Sequence, residues 1–118
     1  MKTIRDISIN GRNNAELTVP VDNQMVPLTT ISLITASCYM RLPEEENNMV
    51  SNRKLNKILD KVEGMNGTGG ISIDDDHFVF LRSQVERLVL AGWSVHPPII
   101  MEQFDQAAHD DDEVQGSP

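Results

Sequence analysis

Asp74, Asp75, Asp76 and His77 stand side by side, three carboxylates and an imidazole of the kind that hold a divalent cation when another oxygen ligand folds over them. The spacing is wrong for a calcium loop. Counted from Asp74, positions six and twelve are Val79 and Val85, where such a loop needs glycine and a bidentate glutamate. Acids just before Phe78, Leu81, Val85 and Leu88 fit better as the first turn of an amphipathic helix, where carboxylates meet the positive end of the helix dipole. No metal and no cofactor is expected.

Cys38 is the single cysteine, so an internal disulfide and a cysteine zinc cage are both excluded. It would act as a nucleophile only beside a base, and His77, His96 and His109 are the imidazoles on offer. A small buried hydrophobe is the simpler reading. Glu44, Glu45 and Glu46 follow Pro43 and read as an exposed loop instead of a general acid-base pair. The run Gly64-Met65-Asn66-Gly67-Thr68-Gly69-Gly70 lacks the terminal Gly-Lys-Ser/Thr of a phosphate loop and is expected to be a connector. Neither a Gly-x-Ser-x-Gly elbow nor a His-Glu-x-x-His pair is present. Catalysis is not expected.

Charge is the more informative chemistry. Residues 102–118 contain six of the 18 acidic residues and none of the ten lysines and arginines. Asp110, Asp111, Asp112 and Glu113 form the densest part, an acidic tail suited to contacting something basic. Its counterpart is the stretch 53–61, where Arg53, Lys54, Lys57 and Lys61 put four of the ten bases within nine residues, with Asp60 interleaved.

These groups must be positioned by ordinary elements. Thr3 to Ile9 alternate as in a strand, giving an expected strand over 2–9, ended by the turn dipeptide Asn10-Gly11. Residues 17–21 form a second β-like run whose Pro20 places it at an edge or bulge, and the two runs are expected to pair antiparallel. The span 28–42 mixes strand formers with helical spacing of Leu28, Ile31, Cys38, Tyr39 and Leu42. A helix capped by Thr29 or Thr30 and stopped by Pro43 is the favoured reading. Leu55, Ile58, Leu59 and Val62 make an apolar stripe on a helix over 51–62, with Ser51 at the cap and Gly64 beyond the end. A strand or turn at Ile71-Ser72-Ile73, a helix ending near Gly92, and a last helix with Pro98 in its first turn, running through about Ala108, follow, with Ile99, Ile100 and Phe104 facing the core.

The expected fold is thus a small α+β domain over 1–108, an N-terminal antiparallel strand pair packed with three to four helices, followed by an acidic tail over 109–118. Its core is expected to be aliphatic, since Phe, Trp and Tyr number five together. With no run of eighteen apolar residues, no export signal and no disulfide, a soluble cytoplasmic protein without a membrane partner is expected. The function expected is non-enzymatic interaction or assembly, with a protein partner or further copies of the chain, through the acidic tail and the basic helix face. Small accessory or structural proteins of bacteriophages have this unadorned look, which adds host cytoplasm or the virion as settings. One alternative is a helix-turn-helix that presents Asn52, Arg53, Asn56 and Lys57 to DNA, with 71–81 as a wing. A pI near 4.7 and a long intervening loop disfavour it. Another is an acidic mimic of nucleic acid that blocks a DNA- or RNA-binding protein.

Overall fold

The computed structural model describes residues 1–65 and 69–110. The order of elements is β1 (Lys2–Arg5), β2 (Thr18–Val21), β3 (Gln24–Pro27), α1 (Thr30–Tyr39), α2 (Met49–Glu63), β4 (Gly70–Ile73), α3 (Asp75–Gly92), α4 (Pro97–Ala107) and β5 (Ala108–Asp110), with short 3-10 turns at Arg12–Asn14 and Glu44–Glu46. This is an α+β architecture of four helices with antiparallel sheets of three and two strands.

The pairing of the N-terminal strands differs from the sequence expectation. β1 is the centre of a sheet ordered β4-β1-β5, antiparallel on both sides. The run at 18–21 pairs instead with β3 through a two-residue turn at Asp22 and Asn23, whose φ values of 50° and 63° suit the turn that matches strand twist. The expected strand over 2–9 also splits at Asp6. Beyond it the backbone turns to residues 28–30, with Ile9 N–H donating to the Leu28 carbonyl (2.9 Å) and Thr30 N–H to that of Ile7 (3.0 Å). The apolar positions change parity across this break: Ile4 lies on one alternation, Ile7 and Ile9 on the other. Gly11 does not supply a positive φ; Asn13 and Asn14 do. Gly11 is needed because the His96 ring lies 2.5 Å from where a Cβ would be, while His96 Nδ1 accepts from Arg12 N–H at 2.9 Å.

α1 is a helix, opened by a capping box in which Thr29 and Ser32 satisfy each other's backbone N–H groups. It stops at Tyr39, ahead of Pro43, because Met40 turns extended and its carbonyl accepts from the Gln84 side chain of α3 at 3.0 Å. Leu33, Ile34 and Cys38 bury its inner face against α2 and α3. Thr30 is fully buried and spends its hydroxyl twice, donating to the Arg5 carbonyl and accepting from Ile7 N–H at 3.0 Å. The core is aliphatic apart from one aromatic pair, Phe78 of α3 stacked on Phe104 of α4 with centroids 6.2 Å apart. Ile100 and Phe104 are buried as expected, and Ile99 is half-buried.

Cys38 sits in this core, where burial pushes its thiol up to about 12. A thiol held neutral in that way is a packing group, not a nucleophile. At the C-terminal side the expected boundary after 108 shifts. His109 and Asp110 belong to β5, in register with Thr3 and Lys2, so the sheet extends to residue 110 before the remaining acids begin. Among the described residues no helix is long and apolar enough to cross a membrane.

Candidate functional site: a cationic groove

α2 begins at Met49, two residues before the cap expected at Ser51. The cap is Asn48, whose side chain accepts from Ser51 N–H at 2.9 Å. Leu55 and Ile58 are buried, with Leu59 and Val62 packed against the core. This fixes the rotation of the helix and turns Arg53, Lys57 and Lys61, each four residues from the next, outward as one row. Lys54, half-buried, places its ammonium over the Phe80 ring of α3 at 5.5 Å from the centroid.

The row does not stand on a convex surface. Between α2 and the junction of β4 with α3 lies a recess of about 260 Å³, bounded by Lys57 and Lys61 on one side and by Ser72, Asp74 and His77 on the other, with Ile58 and Ile73 as apolar lining. A second depression of about 210 Å³ continues it past Arg53 and Lys54 towards the exposed Val50. Lys57 and His77 border both, so the two read as one groove along two turns of the helix.

The electrostatics of the groove are unbalanced. Among the described residues, none of Arg53, Lys57 and Lys61 has an ion-pair partner. Asp60 and Asp74 on the walls reduce the positive charge without cancelling it. Asp75 is engaged with the amino group of Met1 at 3.1 Å, and His77 Nδ1 lies 4.0 Å from an Asp74 oxygen. Asp74 holds the N-cap position of α3 as its place in the sequence suggested, though its side chain makes no capping hydrogen bond. Among the described residues, no group of three or more His, Cys, Asp or Glu is arranged to hold a metal ion. What the groove offers chemically is a row of ammonium and guanidinium donors beside an apolar lining.

The residues expected to bind a partner are thus partly brought together. Arg53, Lys54, Lys57 and Lys61 share the groove. Asp110 closes β5, opposite Lys2 in a register where Lys2 also faces Ile73. It therefore lies at the same end of the sheet as the β4–α3 junction that forms the groove wall. Asp111, Asp112 and Glu113 fall outside the described residues. No family model, no curated protein and no solved structure matches this chain.

Ser72 and Ile73 were not legible as site residues, and His77 was legible only as a candidate metal ligand or base, because the groove joins segments far apart in the chain. The DNA-facing alternative loses part of its presumed surface. Asn52 donates from its side-chain amide to Asn47 Oδ1 (3.0 Å) and the Asn48 carbonyl (2.8 Å), and Asn56 donates to the Asn52 carbonyl (3.1 Å). The supposed wing over 71–81 is instead the end of β4 followed by the first turns of α3.

Proposed function

We propose that this protein is a non-enzymatic interaction or assembly component that docks an acidic segment of a protein partner in the groove of α2. The observation that carries the reading is the row Arg53, Lys57 and Lys61, recessed, and without ion-pair partners among the described residues. Exposed ion pairs contribute about 0.5 kcal/mol each, so three of them improve affinity only about tenfold. Micromolar binding therefore needs apolar contact as well, and the exposed Val50 at one end of the groove offers it. The expected ligand is a short segment that alternates carboxylates with an aliphatic side chain. Electrostatic steering would speed its encounter and make the affinity fall with salt.

Duplex DNA is the weaker alternative, since the recessed row is flanked by Asp60 and Asp74 and the nearby asparagines are spent on the helix itself. The phosphate-mimic reading has less support too. Glu46, Asp75, Glu86 and Asp105, acids of the folded body, each pair with a cation of the same body. A lone buried thiol suits a reducing, cytoplasmic setting.

Fluorescence anisotropy with a labelled acidic-aliphatic peptide tests the reading at low and moderate salt. The double variant Lys57→Glu, Lys61→Glu should lose binding. Arg41→Glu, an exposed cation elsewhere, should keep it. Equal affinity for both variants would end the proposal.

A further inference from the structure

We infer that the partner's acidic segment docks as an added strand: it lies extended beside β4, lengthens the sheet β4-β1-β5 on its open side, and turns a carboxylate at every second residue to the cations of α2. This inference rests on the groove being a docking site for acidic segments, and it gives that ligand a backbone conformation and a sequence pattern. β4 is an edge, since among the described residues it pairs only with β1. The phase of that ladder decides which of its groups are left. Asp6 N–H donates to the Gly69 carbonyl at 2.6 Å, one step beyond the register pair of Arg5 and Gly70. Bonded and non-bonded pairs alternate in an antiparallel ladder, so Ile71 and Ile73 exchange bonds with Ile4 and Lys2, whereas the N–H and C=O of Ser72 point away from β1. Gly70 fits this phase, because an added Cβ there would lie 3.2 Å from the Arg5 Cα, the close approach of a non-bonded pair.

Ser72 is half-buried, borders the recess and spends its hydroxyl on that of Thr3 at 3.0 Å. Its main-chain donor and acceptor are what the edge offers, and such an edge is a template for a further strand. The second observation is spacing. Arg53, Lys57 and Lys61 recur every four residues of a helix, about 6.0 Å along its axis, and alternate residues of an extended chain recur about every 6.6 Å. The mismatch over the whole row is about 1 Å, which the flexible lysine stems absorb. The third is the sign of the walls. Asp60 and Asp74 repel an unbroken acidic run, which favours carboxylates on alternate residues with strand formers such as valine between them.

Three labelled peptides test this against the full chain at about 20 mM salt, where screening is weak. They are Glu-Val-Glu-Val-Glu-Val, the same peptide with its two central residues N-methylated, and the rearranged Glu-Glu-Glu-Val-Val-Val. Anisotropy gives their affinities, and NMR follows amide exchange in the free protein and at saturation. Strand addition predicts that the methylated and rearranged peptides bind about tenfold more weakly than the first. It also predicts that saturation with the first slows exchange of the Ser72 amide about tenfold or more, while Ile71 and Ile73, already bonded to β1, change little. If either control binds as tightly as the first peptide, or Ser72 exchange is unchanged at saturation, while Lys57→Glu with Lys61→Glu still abolishes binding, the added strand is overturned and the groove reading stands. Failure of the first peptide to bind at all would overturn both.

Discussion

Cations on α2 and α3 are used in opposite ways. On α3, Arg82 grips Asp105 of α4 with two bonds of 2.8 Å and reaches Glu86 at 3.3 Å. The hydrogen bond with Asp105 is the main reason its guanidinium is held above the ordinary arginine range. Arg87 donates to Gln84 and lies 3.0 Å from Glu46, whose Oε2 is shielded from solvent without a hydrogen bond and is compensated by that charge. On α2, by contrast, Arg53, Lys57 and Lys61 have no ion-pair partner among the described residues. The planar forks of Arg82 and Arg87 brace α3 against α4 and the Glu44–Glu46 turn, while the row on α2 leaves its charge facing solvent. The difference separates charge that holds the fold from charge that is left for a partner.

The strongest way to break the bracing side is at Gln84, fully buried and bonded both to the Met40 carbonyl and to Arg87. Gln84→Ala should cost about 2–3 kcal/mol, read as a lower midpoint in chemical denaturation, because it opens a cavity and leaves the half-buried Met40 carbonyl unpaired. Alkali sharpens the contrast next. The unfolded Cys38 thiol ionises near 9.0 and the folded one near 12, so its contribution is intact below pH 9 and lost as pH rises towards 12. That loss is about 1.4 kcal/mol by pH 10. Cys38→Ala should flatten the slope, whereas Arg82→Ala should keep it, since a raised arginine does not titrate in that window.

At neutral pH, Arg82→Ala should cost about 0.5–1 kcal/mol, a value reduced by the exposure of the pair. Smallest of all is the effect of Lys57→Glu with Lys61→Glu on the melting transition, expected within about 0.5 kcal/mol of wild type. A loss there comparable to that of Gln84→Ala would mean that the lysines support the fold, and the contrast between the helices would fail.

Elements set by local spacing were legible in the sequence: the apolar stripe of α2, the acids opening α3, the proline opening α4 and the threonine cap of α1. The four cations of the groove were legible for the same reason, since helical spacing alone puts them on one face. Strand partners were not. Which strands pair with Lys2–Arg5 depends on segments far along the chain, and Ala108-His109-Asp110 has no β pattern of its own. The groove was hidden likewise, because His77 and Ser72 acquire meaning only when β4 is laid against α2. The hairpin at Asp22 and Asn23 did carry a local signal, two residues tolerant of positive φ between extended runs.

The central place of β1 sets the order of events during synthesis. Its residues leave the ribosome before either partner strand, one starting at Gly70 and the other at Ala108. Until those segments emerge, Lys2–Arg5 is a lone extended segment beside a nascent helical layer, and closing the sheet is a late step with a large loop-closure cost. Slow translation before residue 108 would prolong the time in which that segment can pair with the wrong chain.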